Sequence, residues 1–377
     1  MATSAIGPGF LTQTSVFTAQ LGASFGFVIL ISILLDAIAQ LNIWRIITVA
    51  NKPAQDIANM VFPGLGYILS FLVFLGGLAF NIGNIAGAGL GLNVLLGISI
   101  GQGAIISAVI AIGVFVYRQM GSMMDSFAKI LGLLMIGLTC YVAYTSGPPV
   151  GEAALRSVAP LHFSFTAVLT IVGGTVGGYI TFAGAHRLLD AGVTGQSKLR
   201  EVNQGAVTAI SLASVMRILL FLGTLGVITA GGHLDPANPP ASMFRLASGP
   251  IGYKLFGLVM WAAAITSVVG SAFTSVSFIK TFHPLIIKWN RQIIIVFIIV
   301  STALFLLIGQ PVKVLITVGA INGLILPVSL GIMLLAAYRT RIIHHYKQPL
   351  WLTIAGTIVV AFMTWMGYEA IAAIIKS

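Results

Sequence analysis

The sequence predicts an all-α integral membrane protein, and two observations carry this prediction. Hydrophobic residues make up 58% of the 377 residues and charged residues only 7%, whereas a soluble domain carries about 25% charged residues. Long apolar runs recur along the chain, and about 20 apolar residues suffice for a helix to cross the hydrocarbon core. The alternating strands of a transmembrane barrel, about 10 residues each, do not occur in the sequence. We therefore expect residues 1–377 to form one polytopic domain in a lipid bilayer.

Polar and helix-breaking residues divide the apolar sequence into about eleven spans. These spans lie near residues 1–20, 23–44, 62–95, 101–118, 126–146, 163–185, 204–231, 249–279, 291–309, 312–337 and 349–375. Only six residues precede Gly7 in the first span. We therefore expect the N-terminus to fall short of a full first helix.

The basic residues predict the orientation of these spans. With the N-terminus inside, thirteen of the nineteen Lys and Arg lie in cytoplasmic loops and five on the external side. The remaining one, Arg217, lies within the seventh span. Because basic residues collect in cytoplasmic loops, we expect a cytoplasmic N-terminus and an external C-terminus in a membrane of the bacterial inner-membrane type. The same loops account for the net charge of +11, so we expect no nucleic-acid partner.

Glycine breaks interrupt two spans that lie five apart. The first span contains Gly7-Pro8-Gly9, and the sixth contains Gly173, Gly174, Gly177 and Gly178. Glycine and proline are the least favourable residues inside a helix. Breaks at corresponding positions predict a 5+5 inverted repeat, residues 1–146 and 163–337, with discontinuous helices 1 and 6 that meet near the midplane. Residues 349–375 form an additional eleventh helix.

Close helix packing is the alternative explanation for these glycines, because small residues at four-residue spacing let membrane helices approach. We favour packing for Gly83, Gly87 and Gly91 in the third span. We favour a true break for Gly7-Pro8-Gly9, where proline removes a backbone donor. The sixth-span pair Gly177-Gly178 also reads as a break, because of its position relative to the first span.

Residues beside the breaks are the predicted substrate-binding residues, because free backbone groups at membrane depth are tolerated only where they face a cavity. The set comprises Gly7, Pro8, Gly9, Thr12, Gln13, Gly177, Gly178 and Thr181. On a helix, Thr12 shares a face with Ser15 but not with Gln13, so we expect either that pair or Gln13 alone in one cavity. Alternatively, a membrane Ser or Thr bonds to a carbonyl one turn earlier.

Two charged residues lie in the membrane interior by sequence, Asp36 in the second span and Arg217 in the seventh. Such residues are functional candidates by default. In one interpretation, the two form a structural pair. In a second, Asp36 carries protons. In a third, Arg217 faces a water-filled vestibule and meets an anionic substrate. His186, with Arg187 and Asp190, forms either an interfacial charge cluster or a proton relay.

Several motifs resemble the NRAMP divalent-metal transporter family. NIGNIAGAGLGLNVLLGISIGQGA (81–104) resembles its third-span signature, GPGF (7–10) lies where the family has Asp-Pro-Gly-Asn, and TVGGYITFAG (175–184) lies where it has Met-Pro-His. Residues 261–279 and the Leu326-Pro327 element also fit. The resemblance extends over nearly the whole chain. It implies a LeuT-like fold and proton-linked alternating access.

The resemblance also shows where this sequence departs from the family. The family's first-span Asp and Asn and its sixth-span Met hold the metal, its sixth span carries histidines and its third span an acidic residue. In that order, the matching residues here are Gly7, Phe10, Gly177, Tyr179 with Gly184, and Asn84. Asn322 is the approximate counterpart of a polar ligand in span ten. Carboxylate, thioether and imidazole are therefore replaced, although divalent metals need such donors.

Two functional hypotheses follow. The first is an NRAMP-like secondary transporter, nominally for divalent metal ions and coupled to protons. The alternative is a transporter of a small organic solute, a carboxylate or amino acid, on the same scaffold. A transport-dead receptor or a channel is the third and weakest interpretation. We find no enzyme motif and expect no cofactor, and the single Cys140 excludes an internal disulfide.

Overall fold

The computed structural model describes residues 6–117, 120–280 and 282–376, and every regular element in those ranges is a helix. The first half contains α1 (Pro8–Leu21), α2 (Phe25–Ala50), α3 (Ala54–Val61), α4 (Leu65–Leu96), α5 (Ile100–Val116), α6 (Met120–Thr145) and α7 (Val150–Val158). The second half contains α8 (Phe165–Thr175), α9 (Tyr179–Asp190), α10 (Leu199–Thr229), α11 (Pro239–Ile279), α12 (Pro284–Lys288), α13 (Asn290–Ile308), α14 (Pro311–Ala336), α15 (Thr340–Ile343) and α16 (Leu350–Lys376).

Each predicted span has a helical counterpart, and α8 with α9 forms the sixth. By length and apolarity, eight helical segments of the described residues can cross a membrane on their own. The first two spans count as one segment, Pro8–Ala50, because only the 3-10 turn Gly22–Ser24 separates α1 from α2. Helix α5 is apolar and has only 17 residues. The segment Ile130–Thr145 of α6 joins α7 at a bend of 105°. Residues 1–5 and the side chains of Arg118 and Lys129, used in predicting the first span and the orientation, lie outside the described residues.

The two breaks differ in form. Gly7 is the N-cap of α1 and Pro8 is its first residue, a position where proline costs no hydrogen bond. In the described residues, the predicted break at Gly7-Pro8-Gly9 is the point where the 14-residue helix α1 begins. In the sixth span, α8 ends at Thr175 and α9 begins at Tyr179. Gly178 between them has φ +37°, a backbone conformation that favours glycine.

Helix α4 forms the centre of the packing, and glycines let its neighbours approach. A Cβ on Gly87 would overlap the ring of Pro8, and one on Gly91 would lie 2.7 Å from the backbone nitrogen of Trp261 on α11. The predicted packing role of this glycine row is therefore what the geometry shows. Since α4 packs along both α1 and α11, it fixes the start of α1 against α11.

We expect Gly87→Ala to destabilise the protein, because the added methyl group overlaps Pro8, whose ring is fixed to the backbone. Overpacking of this kind costs about 1–3 kcal/mol. Thermal unfolding of the purified protein in detergent measures the loss. Gly113→Ala on α5 is the control, since nothing lies within 4 Å of that Cβ position. An equal loss of stability in both variants would contradict the packing role of Gly87.

Candidate substrate site between the broken helices

The start of α1 lies against polar side chains from two other helices. A Cβ built on Gly7 would lie 3.7 Å from Ser267 Oγ of α11 and 3.8 Å from Asn84 Oδ1 of α4. Ser267 and Asn84 are 6% and 4% exposed, and neither Ser267 Oγ nor Asn84 Nδ2 has a hydrogen-bond partner. Buried polar groups are normally paired. At this point, Asn84 and Ser267 have unpaired hydrogen-bonding groups, and Gly7 leaves space because glycine has no side chain.

Both broken helices begin near this point. Helix α1 follows its N-cap Gly7, and α9 follows its N-cap Gly178. The first N–H groups of a helix lack acceptors within the helix, and the helix dipole places partial positive charge there. Ser267 lies beside both ends, since it also lines a small space together with Tyr179, the first residue of α9. The arrangement therefore favours a negatively charged group.

An open cavity of about 640 Å³ leads toward this site from the predicted cytoplasmic side. The segment after α2, the second half of α9 and the last turns of α11 line it, and Thr274 is one of its lining residues. A space of about 20 Å³ continues between α9 and α11 as far as Tyr179 and Ser267, which is room for about one water molecule. We call the two spaces together the vestibule.

A second cavity, of about 760 Å³, lies on the predicted external side. Its lining includes Val16 and Gln20 near the end of α1 and Lys313 of α14, and it includes neither Gly7 nor the residues of the second break. The vestibule approaches the breaks and this cavity does not. The described conformation is therefore open toward the predicted cytoplasmic side.

Three of the predicted substrate-binding side chains bond to the protein's own backbone. Gln13 Nε2 donates to the Leu315 carbonyl of α14 at 2.7 Å, and Asn322 Nδ2 donates to the carbonyls of Gly76 and Val318, each at 3.1 Å. Thr181 Oγ1 donates to the Val176 carbonyl across the second break. The amide oxygens Gln13 Oε1 and Asn322 Oδ1 remain without a hydrogen-bond partner.

The other predicted binding residues divide into packing and backbone positions. Pro8 packs on Gly87, and a Cβ on Gly177 would lie 2.8 Å from the Asn322 carbonyl oxygen. Gly9 is buried beside Gln13 and Leu315. Thr12 and Ser15 are both buried, and neither hydroxyl has a hydrogen-bond partner. Of the predicted binding residues, Gly7 thus lies beside Ser267, which lines the vestibule, and Gly178 directly precedes Tyr179, which also lines it.

Asp36 on α2 and Arg217 on α10 are 2% and 3% exposed. They interact electrostatically, but no ion pair within 4.0 Å and no hydrogen bond joins them. The Arg217 guanidinium lies 4.1 Å above the centre of the Phe10 ring of α1, and Arg217 does not line the vestibule. The interpretation that Arg217 faces a water-filled vestibule is therefore wrong for this conformation.

His186 lies in the wall of the vestibule with Arg187 and Asp190. Its Nε2 accepts a hydrogen bond from the Ala54 backbone at 3.2 Å, and its ring stacks on Phe278 at 4.8 Å. These contacts connect α9 to α3 and α11 and suit a structural residue at the cavity wall.

The described residues contain no group of three or more His, Cys, Asp or Glu side chains that would hold a metal ion. At the start of α1, the side chains that remain are amide and hydroxyl groups. Divalent metals bind imidazole, thiolate or carboxylate groups, and the harder ones such as manganese also bind carbonyl oxygens and water. Any metal bound here would rely on backbone carbonyls and neutral oxygens.

Sequence reasoning missed Ser267, although a signal was present. Ser267, Ser271 and Ser275 recur every four residues, so they share one face of α11. That face contacts α4, where Ser271 Oγ donates to Asn81 Oδ1 at 2.8 Å. Asn81 and Asn84 in turn share a face of α4, so the two rows align and place Ser267 beside Asn84.

We expect a cysteine at Thr274 to react with a small water-soluble maleimide, because Thr274 lines the vestibule. The variant is made in a Cys140→Ser background, since Cys140 is exposed. Ser275→Cys is the control, because the neighbouring Ser275 is fully buried. The rate of labelling in membranes measures the difference, and equal rates at both positions would contradict an open vestibule.

Comparison with known proteins agrees with this architecture. The chain is 61% identical over 367 residues to the Bacillus subtilis (strain 168) membrane protein YcsG, which covers 97% of this chain and 91% of that protein. The manganese transporter of Eremococcus coleocola superposes with a TM-score of 0.73 at 19% identity, covering 99% of this chain and 84% of that one. MhsT, solved in complex with L-phenylalanine, superposes with a TM-score of 0.71 at 15% identity, covering 97% and 96%.

The two structural similarities show the fold, which is LeuT-like with discontinuous helices 1 and 6. The family model described as natural resistance-associated macrophage protein-like matches residues 1–373. The chain is thus a membrane transporter that belongs to the NRAMP family.

Proposed function

We propose that this chain is a secondary active transporter that works by alternating access and carries a small organic solute with a carboxylate group. The observation that carries the proposal is the site at Gly7, where Asn84 and Ser267 offer unpaired neutral groups beside two helix N-termini. A substrate carboxylate fits there because it accepts hydrogen bonds and carries the negative charge that the helix ends favour. We place the protein in a bacterial-type inner membrane with a cytoplasmic N-terminus and an external C-terminus.

The vestibule supports the alternating-access part of the proposal. It connects the predicted cytoplasmic side to Ser267, while the cavity on the other side does not reach the breaks. A transporter with an inverted repeat exposes its central site to one side at a time, and the site lies between the discontinuous helices. We assign this conformation to the inward-facing part of that cycle, with a space at Ser267 that has room for about one water molecule.

Divalent metal transport is the second candidate, and family membership favours it. Oxygen acceptors are also present, since Gln13 Oε1 and Asn322 Oδ1 have no hydrogen-bond partner. A hydrated ion would find acceptors there. Two positive helix ends and the lack of a carboxylate at position 7 oppose it, because manganese prefers carboxylate or carbonyl oxygens with negative charge nearby.

Isothermal calorimetry on the purified full-length protein tests the substrate class. We expect heat of binding from one or more members of a panel of small carboxylates and amino acids, and none from Mn²⁺. Micromolar Mn²⁺ binding together with no response to the organic panel would contradict the proposal. For an organic ligand that binds, Asn84→Ala is expected to weaken binding by about ten- to hundredfold, the usual cost of a lost hydrogen bond to a charged group.

Two substitutions of Gly7 separate charge from volume. Gly7→Asp is expected to abolish binding of a carboxylate solute, because a fixed carboxylate then occupies the same space and repels it. Gly7→Ala is the control: its Cβ has no contact closer than 3.7 Å, so binding should survive. Loss of binding in both variants would show that space, not charge, matters at this position.

A further inference from the structure

Asp36 is the one acidic side chain of the described residues that is fully buried. The other described acids are exposed or partly exposed: Asp56, Glu152, Asp190, Glu201, Asp235 and Glu369. Burying a carboxylate costs several kcal/mol unless a partner compensates. The burial of Asp36 therefore needs a structural or functional explanation, and the residues around it provide one.

Each buried charge contacts a different broken helix. The Arg217 guanidinium stacks on Phe10, in the first turn of α1. Asp36 interacts with the side chain of Thr175, the last residue of α8 before the second break, and the Thr175 hydroxyl donates to the Ile171 carbonyl at 2.8 Å. Since α2 packs along α10, the two charges form a connection behind the breaks that extends from one discontinuous helix to the other.

The connection is not saturated with hydrogen bonds. Arg217 Nε and Nη2 and Asp36 Oδ1 are buried and have no partner. Of the elements packed on α2, only α10 presents a charge to Asp36, namely Arg217, and α8 presents the neutral Thr175. The two buried charges lack direct contact but compensate each other electrostatically, so neutralising one leaves the other uncompensated, which costs several kcal/mol.

We propose that Asp36 is the residue that binds the coupling proton and that Arg217 is its fixed counter-charge. A proton from water adds to a carboxylate oxygen of Asp36 and neutralises it. The positive charge of Arg217, behind Phe10, is then no longer balanced by Asp36 and acts on the anionic group at the start of α1. One proton and one carboxylate consequently enter together, and the loaded site has no excess charge relative to the empty one.

This inference rests on the proposed function in two respects, which are that α1 and the α8–α9 pair move during transport and that the substrate is an anion. The response of Asp36 to pH needs no substrate. A conformational readout on the substrate-free protein therefore tests it separately from the calorimetry, which tests the substrate class.

The readout is an environment-sensitive fluorophore attached to Thr274→Cys in the Cys140→Ser background, with the full-length protein in proteoliposomes. Thr274 lines the vestibule, so its emission reports opening and closing. We expect emission to change with pH in a single transition. Asp36→Asn should abolish this change and hold emission at the low-pH value, because the substituted amide resembles the protonated acid.

Further variants exclude other causes. Glu369→Gln removes a partly exposed acid on α16 and should leave the transition unchanged. His186 lines the vestibule near the fluorophore, so His186→Gln identifies any contribution from its imidazole. The double variant Asp36→Asn/Arg217→Gln carries no unpaired charge and should also lack the transition. It is the control for misfolding of the single variant, in which Arg217 is left without its counter-charge. A transition that persists in Asp36→Asn, or that only His186→Gln removes, would overturn the proposal.

Discussion

The structure depends on one constraint, which is that a backbone N–H group or carbonyl inside a membrane must have a partner. A helix that ends at the midplane violates this constraint unless other groups compensate. Here the second break is bridged by the Thr181 hydroxyl, which donates to the Val176 carbonyl. At the first break, Pro8 has no backbone N–H group and therefore needs no acceptor. The groups that remain without a hydrogen-bond partner lie at the end of the vestibule, and this position defines the candidate site.

The charge preference of the site follows from the same geometry. Two helix N-termini provide partial positive charge, and Gly7 contributes no negative charge against it. Asn84 and Ser267 are neutral. In a site of this composition a bare cation gains little, whereas an anion gains from each group it contacts. The NRAMP fold is thus compatible with the anion chemistry that we propose for its centre, because function resides in the site and not in the fold.

Sequence patterns predicted the frame of the molecule well because hydropathy and helix breakers act locally. The apolar runs predicted the positions of the helices, and Gly177-Gly178 predicted the interruption between α8 and α9. Gly7-Pro8-Gly9 likewise predicted the point at which α1 begins. The roles of Gln13, Thr181 and Asn322 were not evident from sequence, since each bonds to a carbonyl that only the tertiary structure brings near. The serine row of α11 was a visible signal for Ser267, but its position beside Asn84 depends on how α4 aligns with α11.

The most direct test of the central claim, that this site accepts an anion in place of a divalent metal, is Mn²⁺ flux into proteoliposomes that contain a metal-quenched dye. With an inward proton gradient, the account predicts that the wild-type protein quenches the dye no faster than protein-free liposomes do. Rapid quenching by the wild-type protein that saturates with Mn²⁺ concentration would contradict it.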